Sequence, residues 1–210
     1  MIILFDLDGT LIDSTEAILE SFAVAFSAFD EAIPDDEAIK AEIGHPLDMM
    51  FSKLGVQETL VWDHVAAYKA HYRKISCAKT ELLPQAKEAV ELARSVATLG
   101  VVTTKTAKYS VELLEHMGLM SYFSVLIGRE DVEHPKPDPE PIYKALAELP
   151  SDTGQVWMLG DTCMDMQAAK SANVDAIGLT CGYGTQESLS ACTDKIYVNA
   201  YEAVKFIANR

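Results

Sequence analysis

The sequence predicts an α/β protein: a doubly wound parallel sheet into which a separate α-helical unit is inserted. Three observations carry that reading. Ile2 to Phe5 is a short, unbroken apolar run, the pattern of a strand buried on both faces. Beyond Pro84, helical and strand-like segments alternate, as they do when helices cover both faces of a parallel sheet. Between the two, from Thr15 to about Ile75, the pattern is helical almost throughout, too long for a simple crossover.

In the helical stretch, Ile18, Leu19, Phe22, Ala25, Phe26 and Phe29 recur at three- and four-residue spacing. Pro34 breaks the pattern and suits the start of the next helix, and Gly44-His45-Pro46 makes a second break. A long helix follows over about 58–75, with Leu60, Val61, Val65, Tyr68 and Tyr72 on one side. After Pro84 the expected order is helix 85–94, strand 98–102, helix 107–117 closing at Gly118, strand 123–127, a Pro-rich loop and helix 140–148. Strand 155–159, helix 163–172, strand 175–179, helix 186–191, strand 195–198 and a terminal helix complete it. With hinges near Ser14 and at Thr80 to Pro84, the expected division is a core of residues 1–14 and 81–210 and a helical unit of 15–80.

Among the 210 residues, 49% are apolar, enough for a sizeable core. The formal charge of −15 repels nucleic acid and anionic membranes at long range. It would equally repel an anionic substrate, so such a substrate needs a local cation. No window approaches the run of about 20 apolar residues that spans a bilayer. Met1-Ile-Ile-Leu-Phe-Asp lacks the basic and apolar regions of a signal peptide. Cys77, Cys163, Cys181 and Cys192 form no C-x-x-C pair and no zinc-type cluster, and read as free thiols. A soluble protein of the reducing cytoplasm is the expectation, and its oligomeric state is not legible.

Four segments carry possible chemistry. Asp6-Leu7-Asp8-Gly9-Thr10 stands where the first strand runs out, and residues two apart on a strand face the same side. Both carboxylates then point into the crevice at the carboxyl end of the sheet, where they share a proton or hold a cation. The competing reading is an ordinary Asp/Gly turn. Gly160-Asp161-Thr162-Cys163-Met164-Asp165 offers two more carboxylates at another strand end, though Asp161 could simply cap the helix. Thr103, with Thr104 and Lys105, follows the 98–102 strand, where a hydroxyl and the next helix start suit a phosphate, or a β-former and cap suffice. Lys136 lies in His134-Pro135-Lys136-Pro137-Asp138-Pro139, a loop stiffened by three prolines, either to place an ammonium or merely to carry a solvated one.

In order and spacing these motifs resemble the haloacid dehalogenase-like hydrolase superfamily, over nearly the whole chain. The stretches Thr103-Thr104-Lys105, Asp131-Val132-Glu133-His134 and Lys136-Pro137-Asp138-Pro139-Glu140-Pro141 look most like its phosphoglycolate phosphatase and pyrophosphatase branch. The resemblance implies a Rossmann-like core with a helical cap and a magnesium-dependent phosphatase acting on a small phosphorylated metabolite. It implies Asp6 as nucleophile, Asp8 as acid/base, and Thr103, Thr104, Lys105 and Lys136 as phosphate or substrate contacts. It also implies Asp6, the backbone carbonyl of Asp8, and Asp161 around Mg2+, with Asp165 holding a metal-bound water or supporting the site. A pyrophosphatase or a phosphomutase would use the same groups, and a binding protein without turnover is the reading from another class. Asn173, where relatives carry Gly, and the short Gly-free connection Arg94-Ser95-Val96-Ala97-Thr98 depart from the pattern without touching the chemistry.

Overall fold

The computed structural model describes residues 1–149 and 154–210. In chain order it contains β1 (Ile2–Phe5), β2 (Ile12–Asp13), α1 (Thr15–Ser27), α2 (Asp36–Lys40), α3 (Leu47–Lys53), α4 (Val61–Ile75), β3 (Glu81–Leu82) and α5 (Ala86–Val96). Then follow β4 (Thr98–Val102), α6 (Ala107–His116), β5 (Val125–Ile127), α7 (Glu140–Glu148), β6 (Val156–Gly160), α8 (Cys163–Ser171), β7 (Asp175–Leu179), α9 (Gln186–Ser190), β8 (Ile196–Tyr197) and α10 (Ala200–Ala208). Two compact units result, Met1–Asp13 with Glu81–Arg210, and Ser14–Thr80.

The first unit is built on a six-stranded sheet of order β5-β4-β1-β6-β7-β8. Every neighbouring pair in it is parallel, with Ile2 opposite both Thr98 and Val156. β1 therefore sits centrally and is apolar along its whole length, because both of its faces are covered. Ile2 and Leu4 pack with Ile142 and Ala145 of α7 and with Ala168 and Ala169 of α8. Elsewhere, Trp157 of β6 meets Phe206 of α10 edge-on, and α10 packs along α5. β2 and β3 pair antiparallel, so the chain leaves this unit and re-enters it side by side.

The short connection before β4 is a single extended residue, Ala97. It needs no glycine because Ala97 leaves the helix in extended backbone, φ −147° and ψ 163°, which any residue adopts. Asn173 adopts φ 57°, so the turn after α8 survives without glycine, as asparagine's tolerance of this region allows.

In the second unit α1 packs on α4, with Phe22 against Phe51 and Tyr68 at ring separations of 4.6 and 5.0 Å. The periodic residues Ile18, Phe22, Ala25 and Phe26 are buried, while Leu19 and Phe29 lie at its edge. Pro34 does not open the next helix. Asp35 caps it instead, accepting the Ala38 N–H at 2.9 Å, because a carboxylate there satisfies a helix-end donor that proline's ring cannot. Among the described residues, no helix is long and apolar enough to cross a membrane.

One expectation is overturned outright. Cys163 and Cys192 are joined as a disulfide, and only Cys77 and Cys181 are free. They stand 29 residues apart in sequence, at the start of α8 and just after α9, but their Cα atoms lie 5.8 Å apart, within bonding reach. The parallel order of β6 and β7 creates that proximity, and no local spacing announces it.

Candidate active site

Because all six strands of the sheet run parallel, their carboxyl ends share one edge, where open α/β sheets bind ligands. β1 delivers Asp6, β4 delivers Thr103, and β6 delivers Asp161 and, through the first turn of α8, Asp165. The loop after β5 brings Lys136. One carboxylate oxygen from each of Asp6, Asp161 and Asp165 lies within 4.8 Å of the others, and all three residues are buried.

Lys136 organises this cluster. Its ammonium lies 2.9 Å from Asp6 Oδ1 and 2.6 Å from Asp165 Oδ1, and donates to the Val102 carbonyl at 3.0 Å. Three donors thus meet three acceptors, which is how a lysine that is 3% exposed remains charged. Burial alone would pull its pKa down, but Asp165 and Asp6 outweigh burial and raise it above the usual lysine range. The alternative of a solvated lysine does not hold.

Asp6 shows the opposite balance. Burial pushes its pKa up to about 6, against the opposing pull of Lys136, and Asp165 adds to the rise. Burial also raises Asp161 well above the carboxylate range, helped by Asp6 and Asp165. Three buried carboxylates beside one ammonium must either take up protons or hold a further cation. An oxygen-only donor set of this kind fits a hard divalent cation.

Asp161 does not cap α8. Its Oδ1 accepts from the Thr10 hydroxyl at 3.2 Å and its Oδ2 accepts from the Tyr183 N–H at 2.7 Å. The segment Gly182-Tyr183-Gly184 is pressed onto it so closely that a Cβ on Gly182 would come within 2.2 Å of Asp161 Oδ2. Gly9, at φ 76°, faces the same carboxylate, where a Cβ would lie 2.3 Å away. Asp165 has both oxygens committed, Oδ1 to Lys136 and Oδ2 to the Thr162 N–H and hydroxyl at 3.1 and 2.8 Å. Gly160 admits that carboxylate, since its own Cβ would collide with Asp165 Cγ at 2.2 Å.

Asp8 stands apart from the three. The Lys105 ammonium lies 3.1 and 3.0 Å from its two oxygens, forming a mostly buried ion pair. The side chain of Asp8 is thus not part of the carboxylate cluster. Thr103 is buried, and its hydroxyl oxygen accepts the Lys105 N–H at 3.2 Å, which fixes the turn leading to that lysine. The Ala107 N–H, at the start of α6, is already taken by Glu130 Oε2 at 2.9 Å, so that amide is not open to a phosphate.

Sequence reasoning missed Thr10 as a donor and missed the 182–184 segment. Two glycines flanking an aromatic shortly after β7 were the available signal, because a backbone must come close there. It also missed Glu140, whose carboxylate accepts the N–H groups of Glu133 and His134 at 3.0 and 2.8 Å and so closes the loop around Lys136.

A sequence profile described as haloacid dehalogenase-like hydrolase matches residues 3–179, most of the chain and every motif above. The chain belongs to the haloacid dehalogenase-like hydrolase family. A protein of Dickeya dadantii named probable phosphatase IndB is 35% identical over 215 residues, covering 97% of this chain and 91% of that one. A Yersinia pseudotuberculosis protein named phosphoglycolate phosphatase is 32% identical, covering 89% of this chain and 83% of its own length. Among solved structures, a haloacid dehalogenase-like family hydrolase from Streptococcus pneumoniae superimposes with a TM-score of 0.86 at 26% identity, over 98% of this chain and 97% of that one. The parallel sheet is therefore a fold shared with this hydrolase family.

Proposed function

We propose that the protein is a magnesium-dependent phosphatase of a small phosphorylated metabolite, phosphoglycolate-like in size and charge, working through an aspartyl-phosphate on Asp6. The observation that carries this reading is the Lys136 ammonium held between Asp6 and Asp165 beside the buried carboxylate of Asp161. The names of the relatives point the same way.

Asp6 presents one oxygen to Lys136, which holds the carboxylate in place for attack on phosphorus. The phosphorus–oxygen bond to the leaving group breaks as the Asp6 oxygen–phosphorus bond forms. Once Lys105 has released it and it has taken up a proton, Asp8 gives that proton to the leaving oxygen and later takes one from the water that opens the aspartyl-phosphate. Thr103 binds the transferring phosphoryl oxygens, with Thr104 beside it, and Lys136 offsets their charge, reaching them by giving up one of its three present acceptors. Asp6, the Asp8 carbonyl and Asp161 would hold Mg2+, and Asp165, with both oxygens engaged, supports the site from behind. When bound, the cation neutralises charge on the phosphoryl oxygens, the main demand of phosphoryl transfer. Lys105 exchanges Asp8 for a second anionic group of the substrate, a carboxylate or another phosphate. The helical unit of residues 15–80 serves as a cap that selects the leaving group.

The test is hydrolysis of p-nitrophenyl phosphate with and without Mg2+, followed by a panel that includes phosphoglycolate and pyrophosphate. Turnover should need the cation and disappear in Asp6→Asn, and activity surviving that substitution would sink the mechanism. Preference for pyrophosphate over monoesters would replace the substrate assignment and leave the chemistry intact.

A further inference from the structure

We infer that Cys163 and Cys192 are a site of reversible thiol–disulfide exchange whose state sets how firmly Asp161 is held. The proposal does not depend on which phosphate compound is hydrolysed.

Cys163 is the first residue of α8, midway between Asp161 and Asp165. Cys192 lies in the turn after α9, anchored by its N–H to the Leu189 carbonyl at 2.8 Å. Leu189 is fully buried, and the hydroxyl of Thr185 caps α9 by accepting the Ser188 N–H at 3.1 Å. The segment 182–184, whose Tyr183 N–H grips Asp161, leads directly into that capped helix. The bridge therefore ties together the two stretches of chain that meet on Asp161, namely 161–165 and 182–192.

With the bridge closed, lifting 182–184 away from Asp161 must work against a covalent loop. With it open, that covalent restraint is gone, and the Tyr183 amide hydrogen bond is among the non-covalent contacts that remain. The sulfurs are also reachable. Cys163 and Cys192 are partly exposed, whereas Asp161 and Asp165 beside them are fully buried. Cys192 borders a surface cleft of about 510 Å³, together with Met166, Lys170, Thr193 and Lys195, which is room for a small thiol.

The exchange partner is a low-molecular-weight thiol or a protein dithiol. Its thiolate attacks one sulfur of the bridge and forms a mixed disulfide, while the other sulfur leaves and takes a proton. A second thiol then attacks the mixed disulfide, releasing the remaining protein thiol and an oxidised partner. Two electrons and two protons pass to the pair, and the reverse sequence closes it.

The experiment equilibrates the intact protein in mixtures of reduced and oxidised glutathione. Thiols are trapped by alkylation and located by mass spectrometry, and amide hydrogen exchange is followed at Tyr183 without added metal. On reduction, two new alkylated sites should appear at Cys163 and Cys192, and Tyr183 exchange should quicken by about fivefold or more. Cys192→Ser should show the fast exchange in every mixture. The wild-type comparison needs no substitution, so it decides the matter even if that variant folds poorly. A pair that stays reduced in all mixtures, equal Tyr183 exchange in both states, or a redox response persisting in Cys192→Ser would each overturn the proposal.

Discussion

In the helical unit the buried imidazole of His64 stacks on Phe29 at 4.2 Å and lies against Phe26 and Phe51. One ring nitrogen contacts the Leu60 carbonyl at 3.0 Å and the other Glu31 at 3.2 Å. Both nitrogens of this imidazole are thus partnered locally, among aromatic rings. At the carboxyl edge of the sheet, three carboxylates and an ammonium are buried together, and the carboxylates must either take up protons or hold a further cation. A unit that only had to fold would resolve its buried polar groups as His64 does. The sheet edge departs from that rule on five separate chain segments at once, counting the one that carries Tyr183. Such concentrated departure is what sites of chemistry look like.

The contrast can be tested from its strongest side first. Lys136→Met removes the one cation that, among the described residues, pairs with both Asp6 and Asp165. Metal-free protein should lose about 3–5 kcal/mol in urea unfolding, as when one partner of a buried pair is deleted, and Mg2+ should restore part of the loss. An unchanged midpoint would mean that the carboxylates are not held by Lys136. Phe51→Ala should cost the helical unit about 3–4 kcal/mol through the cavity left beside Phe22, Phe26 and His64. Hydrogen exchange should show that loss in residues 14–80 and leave β1 and β6 protected. Equal loosening of the sheet would erase the distinction between the units.

Gly182→Ala should act on chemistry as well as on stability. Its Cβ needs space already held by Asp161 Oδ2 and the Gly9 carbonyl, at 2.2 and 2.3 Å. A shift of that size at Asp161 should lower kcat by about 10- to 100-fold in protein that is still folded, and the unfolding midpoint should fall as well, because the Gly9 carbonyl is backbone and cannot step aside cheaply. Glu140→Gln should have the smallest effect, visible in its pH dependence. The N–H groups of His134 and then Glu133 hold the Glu140 carboxyl at about 2, below its unfolded value. A depressed pKa means that the stabilisation is complete above about pH 4.5 and is lost as pH falls toward 2. The stability gap between wild type and Glu140→Gln should narrow over that window, and a gap independent of pH would remove the carboxylate from the account.

Much of this was legible in the sequence because it is local. The apolar run Ile2–Phe5 and the alternation after Pro84 each follow from periodicity within a few residues, whereas the two-residue spacing of Asp6 and Asp8 does not bring their side chains into one cluster. The partners of those residues were not legible. Lys105 on Asp8, Tyr183 on Asp161 and Cys163 on Cys192 join positions separated by 97, 22 and 29 residues. Only the order of the strands brings them together. Spacing alone could not separate a site carboxylate at Asp161 from a helix cap, because position 161 stands one residue before the true cap, Thr162.

The central place of β1 has a consequence for synthesis. Its two neighbours in the sheet are Thr98–Val102 and Val156–Gly160, so β1 leaves the ribosome long before either. At about 5–20 residues per second, the second neighbour arrives roughly 8–30 s later. Through that interval an unbroken apolar strand waits with both edges open, which is the species that chaperones and aggregation compete for. The helical unit that follows it is continuous in sequence and needs no such wait. A stalled or truncated chain ending before β6 would therefore carry a folded helical bundle on an unfinished sheet, with Asp6 exposed and Asp161 not yet made.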